Sequence, residues 1–262
     1  MATRLPSKEK IAGPNPVTRS KNMKFSLAIP CYNEEKNLPL LLESINKLNY
    51  PRNDFEIIII DNNCVDKTVE IANKLGVDKI VKEEKQGLTY ARQRGFLSAE
   101  GEIICCIDAD CQLPVDWLKN ASLFFEDLKI IAVSGPCDYF DANPIFRNIS
   151  LFFQLVFYPL APKTLNLFFK KPAALIIGGN SLIRKSALEK IEGFDTSVKF
   201  WGEDSLTAFR LAKIGKVVFN SKMKIFSSSR RFQKDGYFKT SIYYFLNYFS
   251  LYFKNKPFVK EK

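Results

Sequence analysis

The chain has 262 residues, of which 46% are hydrophobic, so it is long enough for one large core and too short for two full catalytic domains. It contains no histidine, which excludes a Ser-His-Asp triad, a Cys-His pair, histidine-ligated zinc and any imidazole acid or base. Its chemistry must therefore use carboxylates.

The formal net charge of +11 is concentrated at the two ends of the chain. Residues 1–24 carry six Lys or Arg against one Glu, and residues 213–262 carry twelve against two acids, which leaves −4 for the segment between them. A slightly acidic body with basic ends suits an anionic membrane surface better than a phosphate backbone. We therefore expect no nucleic-acid partner.

The six cysteines include no C-x-x-C pair, and the sequence predicts no signal peptide. Free thiols favour a reducing compartment. We expect a cytoplasmic protein, either free or attached peripherally to the inner face of the cell membrane.

In chain order, residues 1–23 are polar, basic and broken by prolines, which predicts a disordered leader. A catalytic domain is expected over residues 24–232. Its first half alternates short apolar runs with helical patterns. Strands are predicted at 25–30, 56–60, 79–81 and 102–107, and helices after Asn33, which is taken as the cap, and at 66–75 and 88–99. The continuous apolarity of these strands indicates an α/β fold with a parallel sheet covered on both faces.

Polar clusters follow three of the predicted strands, at 31–34, 61–63 and 108–110. The carboxyl ends of parallel strands form the ligand crevice of an open α/β sheet. The chain has neither G-x-G-x-x-G nor G-x-x-x-x-G-K-[ST], which are the main sequence motifs of a dinucleotide-binding fold and of a phosphate-loop NTPase. The sequence therefore favours neither class. Asp108 and Asp110 can instead join Mn²⁺ or Mg²⁺ to a diphosphate.

Seven motifs follow one another within residues 25–232: 29–35 (IPCYNEE), 61–66 (DNNCVD), 86–92 (QGLTYAR), 108–110 (DAD), 178–180 (GGN), 193–195 (GFD) and 201–204 (WGED). In this order they resemble the motifs of family 2 glycosyltransferases. The resemblance implies the GT-A fold, a Rossmann-like, mostly parallel sheet flanked by helices. It also implies a nucleoside-diphosphate sugar, linked to UDP or GDP, as donor.

On the donor side, the resemblance implies that three residues, Pro30, Tyr32 and Glu34, border the nucleotide. Asp61 would meet the base, Asp108 would lie at the ribose and diphosphate, and Asp110 would hold the metal. Gly87 and Arg92 are further donor-site candidates, although Arg92 is also compatible with a solvated helix position. Cys64 departs from the family, which commonly has Ser there, and this makes the hydrogen bonding of that turn uncertain.

On the acceptor side, the resemblance implies that Asp204 is the base that deprotonates the acceptor hydroxyl. The two acids 203 and 204 precede an amphipathic pattern and are expected at a helix N-terminus. Candidates for positioning the sugar or acceptor are Gly179, Asn180, Trp201 and Glu203; a tight turn and a packed indole are the other interpretations of the GGN motif and of the tryptophan. Arg230 and Arg231 are candidates for a lid over the diphosphate, or are simply solvated.

Two apolar segments, 149–161 and 241–253, are too short to span a bilayer. The second belongs to an aromatic, basic C-terminal helical extension, residues 233–262, which is expected to contact a membrane, the core or a second copy in a homodimer. The acceptor is expected to be a glycan or a lipid-linked molecule. Since the Q-x-x-R-W motif of processive members is absent, the resemblance favours transfer of single sugars.

Two other functions use some of the same features. A sugar nucleotidyltransferase would be expected to have a Gly-rich, Arg-containing loop after the first strand, where this chain has Pro30-Cys31-Tyr32-Asn33. A non-catalytic membrane-binding or partner-binding module would explain the basic ends but would leave the carboxylates without a role.

Overall fold

A seven-stranded sheet forms the centre of the computed structural model, which describes residues 24–198 and 200–259. The predicted leader, residues 1–23, lies outside the described residues. The strands are β1 Phe25–Cys31, β2 Phe55–Asp61, β3 Lys79–Lys82, β4 Ile103–Ile107, β5 Cys111–Gln112, β6 Ile130–Ser134, β7 Cys137–Tyr139, β8 Asn180–Arg184, β9 Lys216–Phe219 and β10 Ile225–Ser227. The helices are α1 Leu38–Asn46, α2 Thr68–Lys74, α3 Leu88–Ser98, α4 Trp117–Phe125, α5 Pro144–Phe169, α6 Lys185–Lys190, α7 Glu203–Ala212, α8 Arg230–Asp235 and α9 Tyr237–Lys254.

The strand order of the large sheet is β3-β2-β1-β4-β8-β6-β9. Strands β1 to β4 pair in parallel, whereas β8 runs antiparallel to both of its neighbours, β4 and β6. The mostly parallel sheet expected from the sequence is thus confirmed. A second sheet, in the order β5-β10-β7, was not predicted, because its strands are only two or three residues long.

The central strands are apolar throughout because both faces of the sheet are covered. Alternate residues point to opposite sides, so Ile57 and Ile59 join one buried cluster while Ile58 and Ile60 join another. Helices α1 and α4 cover the first face, and α3, α6 and α7 cover the second.

The first helix begins later than expected. The prediction that Asn33 caps it, with the two following acids in its first turn, is wrong: Asn37 occupies the N-cap position and α1 starts at Leu38. Asn33 instead adopts a left-handed conformation with φ of 56°. Its side-chain oxygen accepts a hydrogen bond at 2.8 Å from the Val65 amide, so this turn is tied to the loop after β2 rather than to a helix.

Helices α5 and α9 contain the two apolar segments singled out in the sequence. One side of α9 packs on the domain, where Tyr248, Leu251 and Tyr252 form a third buried cluster with Phe209 of α7. None of the helices in the described ranges has the length and apolarity needed to cross a membrane.

Candidate active site

A cavity of about 960 Å³ opens at the carboxyl ends of β1 and β4. Most of the residues proposed from the sequence line this one space: Pro30, Tyr32, Glu34, Gly87, Arg92, Asp108, Asp110, Gly179, Glu203, Asp204, Arg230 and Arg231. Asp61, Asn180 and Trp201 lie outside its lining. The cavity therefore brings together acids and arginines that are up to 197 positions apart in the sequence, Glu34 to Arg231.

The turn at Cys64 is fully hydrogen-bonded in spite of its departure from the family pattern. The Cys64 thiol donates to the carbonyl of Cys31 at 3.3 Å and accepts from the Asn33 amide at 3.4 Å, while its own amide donates to the Asp61 carboxylate at 2.8 Å. The thiol thus makes the two contacts that a hydroxyl could make there, and it joins the loops after β1 and β2.

Asn62 positions the loop that precedes α3, a role that the sequence did not suggest. Its side-chain amide donates to the carbonyls of Glu83 and Lys85 at 2.9 and 2.8 Å, and its side-chain oxygen accepts from the Gly87 amide at 2.8 Å. Gly87 has φ of 146°, a conformation that favours glycine. These contacts hold the start of α3 against the cavity.

Arg92 lies inside the wall of the cavity between two carboxylates. Its side chain is 2% exposed, forms an ion pair with Asp108 at 3.0 Å and hydrogen-bonds to Glu203. Burial raises the pKa of Glu203 to about 7, against the opposing effect of the Arg92 charge. Arg92 thus links β4 to the start of α7.

Gly178 and Gly179 leave space for the Arg92 and Asp108 side chains. A Cβ atom at Gly178 would lie 2.4 Å from an Arg92 guanidinium nitrogen, and one at Gly179 would lie 2.2 Å from an Asp108 carboxylate oxygen. The Gly-Gly sequence before β8 therefore allows the backbone to approach both charged groups closely.

Asp204 lies in the first turn of α7, which follows Gly202 at φ of 87°. Burial raises the pKa of Asp204, whereas the Ser205 amide, which donates to its carboxylate at 2.6 Å, favours the ionised form. The side chain lines the cavity, so an ionisable carboxylate with a raised pKa faces the same space as Asp108 and Asp110.

Arg230 bridges two carboxylates on the other side of the cavity. Its guanidinium lies 2.8 Å from Asp110 and donates to Glu34, with one of these hydrogen bonds at 2.9 Å. Burial raises the pKa of Asp110 to about 6, an effect that Arg230 opposes and the neighbouring acids Asp108 and Glu34 reinforce. Pairing of β10 with β5 places this arginine beside the DAD segment.

The carboxylates of this cavity suit a hard divalent cation shared with a ligand. Among the described residues, no three Asp, Glu or Cys side chains form a group able to hold a metal ion by themselves. Mg²⁺ is commonly held by one or two carboxylates together with substrate phosphates, and oxygen ligands also suit Mn²⁺. Asp108 and Asp110 fit that arrangement, in which a diphosphate supplies the remaining oxygens.

Three of the remaining candidates have structural contacts. The Asn180 amide donates to the backbone carbonyls of Gly135 and Met223 at 2.9 and 2.7 Å. The Trp201 indole packs against the rings of Tyr243 and Tyr244. The Arg231 guanidinium lies 3.6 Å from the centre of the Phe200 ring, so it stacks at the cavity wall. Of the two neighbouring arginines, it is Arg230 that contacts the carboxylates of Glu34 and Asp110.

Curated relatives match part of this chain. Glycosyltransferase AglE of Haloferax volcanii is 28% identical over 119 residues, which are 44% of this chain and 39% of the relative. TarS of Staphylococcus aureus, a poly(ribitol-phosphate) beta-N-acetylglucosaminyltransferase, is 29% identical over 153 residues, which are 53% of this chain and 27% of the relative. The chain thus matches less than half the length of either protein.

A solved structure extends the comparison to the fold. Mannosyltransferase PcManGT from Pyrobaculum calidifontis, in complex with GDP-Man and Mn²⁺, superposes with a TM-score of 0.71 at 20% identity and covers 95% of this chain and 68% of that one. The likeness shows the GT-A fold. The family model of glycosyl transferase family 2 matches residues 26–192, more than half of the chain. The chain therefore belongs to glycosyl transferase family 2.

Proposed function

We propose that this chain is an inverting glycosyltransferase that moves a single sugar from a nucleoside-diphosphate sugar to an acceptor hydroxyl. The observation that carries the proposal is the position of Asp204, whose raised pKa suits a base and which faces the same cavity as Asp108 and Asp110. Membership of glycosyl transferase family 2 supports the transferase over the other functions considered.

The donor is proposed to bind at the carboxyl ends of β1 and β4. The loop carrying Pro30, Tyr32 and Glu34 lines the cavity and would border the nucleotide, and Asp61 lies at the end of β2 beside that loop. Asp110, with Asp108, would hold Mn²⁺ or Mg²⁺, which supplies charge neutralisation to the diphosphate when bound. The complex of PcManGT with GDP-Man and Mn²⁺ supports this class of ligand.

In the proposed reaction, Asp204 accepts the proton of the acceptor hydroxyl. The hydroxyl oxygen forms a bond to the anomeric carbon on the face opposite the diphosphate. The bond between that carbon and the diphosphate oxygen breaks, and its electron pair leaves with the nucleoside diphosphate. The configuration at the anomeric carbon is therefore inverted.

The test combines a donor screen with the Asp204→Asn variant. UDP-sugars and GDP-sugars with Mn²⁺ are screened by thermal shift, because a ligand that binds only the folded chain raises its melting temperature. With the selected donor and an acceptor, wild-type protein is expected to release nucleoside diphosphate. Asp204→Asn should lower this rate at least ~100-fold, in keeping with loss of a general base, while donor affinity is kept.

A matched variant separates the two halves of the site. Asp110→Ala should lose metal-dependent donor binding, whereas Asp204→Asn should not. Full activity of Asp204→Asn would remove the assignment of the base, and release of pyrophosphate rather than nucleoside diphosphate would indicate a nucleotidyltransferase.

A further inference from the structure

Helix α5 leaves an apolar stripe uncovered. Its members recur every three or four residues up to Leu160, and Leu167 follows seven residues later, so they lie on one side of the helix. They are between 41% and 75% exposed: Ile145, Ile149, Phe152, Val156, Leu160 and Leu167. A stripe of this length is more than the scattered apolar residues of an ordinary surface, and it marks a surface that contacts something apolar.

Helix α9 lies beside α5 and runs in the same direction. Ring contacts join Phe146 to Tyr237, Phe157 to Phe245 and Phe169 to Phe253, in the same order along both helices. The exposed side of α9 is again apolar, with Phe238, Ile242, Phe245 and Phe253 recurring at helical spacing. The two stripes together are called the α5–α9 face.

The candidate active site opens at this face. Four residues of the face are also part of the cavity lining: Ile149, Phe238, Ile242 and Phe245. Phe153 of α5, which is 43% exposed, lines the cavity beside them. An object that covers the α5–α9 face would therefore also lie at the mouth of the cavity that contains Asp204.

The charge of the face indicates what covers it. Neither α5 nor α9 contains Asp or Glu, and exposed lysines, among them Lys163, Lys170 and Lys239, lie along the two helices or follow them directly. Aromatic and aliphatic side chains beside lysines are typical of a helix that lies in the interface of an anionic bilayer. We propose that the α5–α9 face docks on an anionic phospholipid bilayer.

Docking of the α5–α9 face on a bilayer would also determine which class of acceptor can reach the cavity. Because the mouth of the cavity would meet the bilayer, the acceptor would be an amphiphile whose apolar part stays in the membrane and whose hydroxyl reaches Asp204. This consequence rests on the proposed transferase function. The docking itself does not, so it is tested without donor, acceptor or turnover.

The experiment measures sedimentation of the full chain with vesicles. Wild-type protein is expected to bind vesicles of phosphatidylcholine mixed with phosphatidylglycerol, and to bind pure phosphatidylcholine more weakly. The double variant Phe152→Glu, Leu167→Glu puts two charges into the α5 stripe and should lower the partition coefficient more than tenfold. Lys163→Gln should lower binding about fivefold on the anionic vesicles only.

The matched control is Leu97→Glu, Leu128→Glu, two residues of α3 and of the loop before β6 that are 62% and 67% exposed. It adds the same charge elsewhere and should bind vesicles nearly as the wild type does. Absence of vesicle binding by the wild type, or an equal loss in the two double variants, would overturn the proposal. So would a concentration-dependent dimer in light scattering that only the stripe variant abolishes, since the face would then be covered by a second copy.

Discussion

Arg230 is a cation held between two carboxylates that the proposed donor site also uses. Its guanidinium contacts Glu34 and Asp110, and it offsets part of the repulsion among the acids of the cavity. A metal ion with a diphosphate brings its own positive charge to the same carboxylates. The two cations would compete for Asp110, after which the released guanidinium is free to pair with the diphosphate.

We therefore expect Arg230→Gln to act in opposite directions on metal binding and on turnover. Without the guanidinium, Mn²⁺ should bind more tightly in the absence of donor, while the transfer rate should fall roughly 100-fold because the leaving diphosphate loses a charged partner. Free Mn²⁺ is followed by electron paramagnetic resonance, and turnover by release of nucleoside diphosphate.

The control for this prediction is Arg231→Gln, which removes the same charge from a side chain stacked on Phe200 and not paired with the acids. If Arg231→Gln lowers the rate as much as Arg230→Gln, the effect comes from the general positive potential. The contact with Asp110 would then have no special part in it.

The raised pKa of Asp204 predicts the acid limb of the pH–rate profile. A base must be ionised, and burial favours the neutral form, so kcat/KM should fall as the pH is lowered through a value above the ordinary 3.8 of an aspartate. The Ser205 hydroxyl lies 3.3 Å from the Asp204 carboxylate and favours ionisation. Ser205→Ala should therefore move this limb to higher pH.

Thr207→Ala is the control, because the Thr207 hydroxyl donates to a backbone carbonyl at 2.8 Å and not to Asp204. Circular dichroism across the same pH range separates titration of the base from unfolding. If the acid limb stays in place in Ser205→Ala, it belongs to another acid, such as Asp110 or Glu203, whose pKa values burial raises to about 6 and about 7.

At the scale of elements, the antiparallel strand β8 completes the site formed by the parallel strands. Its pairing with β4 sets Asn180 opposite Ile107, which brings Gly179 against Asp108. The Asp108 carboxylate accepts a hydrogen bond from Arg92 at 3.0 Å, so moving away from a new methyl group would disturb this contact.

Gly179→Ala is therefore expected to displace the Asp108 carboxylate and to weaken metal-dependent donor binding at least tenfold. Overpacking of this kind should also lower the free energy of unfolding by about 1–3 kcal/mol. Calorimetric titration of nucleoside diphosphate in the presence of Mn²⁺ measures the first effect, and urea unfolding the second.

Gly101→Ala separates these two effects. A Cβ atom at Gly101 would lie 2.7 Å from the Ser26 hydroxyl, a similar crowding just before β4, at the opposite end of that strand from Asp108. It should cost similar stability and leave donor affinity unchanged. Equal donor affinity in the two variants would contradict the role given to Gly179.

The parts of the fold that were predictable are those with a local signal. Strands β1 to β4 are apolar runs bounded by polar turns, and the DAD segment follows one of them directly. The start of α1 was missed because Asn33 is held by the amide of Val65, a contact 32 residues away. The partnership of Arg230 with Glu34 spans 196 residues and depends on pairing of short strands, so no local pattern reports it.

At the scale of the whole molecule, α9 has two faces with different neighbours. The outer face carries the exposed stripe, and the inner face packs over the start of α7. A Cβ atom at Gly202 would lie 2.4 Å from a methyl carbon of Leu251. This leucine therefore packs against the residue that directly precedes Glu203 and Asp204. The C-terminal helix thereby supports the turn that carries the proposed base.

Leu251→Ala should therefore affect both stability and catalysis. Leu251 is 2% exposed, and emptying such a position typically lowers the free energy of unfolding by about 2–5 kcal/mol, a large share of the roughly 5–15 kcal/mol of an average domain. The cavity beside Gly202 should loosen the first turn of α7 and lower kcat with little change in donor affinity. Phe253→Ala, at a residue 51% exposed, should leave both quantities nearly unchanged. Urea unfolding measures the free energy of unfolding of the two variants, and steady-state kinetics measures their kcat. Equal values in Leu251→Ala and Phe253→Ala would mean that α9 does not support the catalytic site.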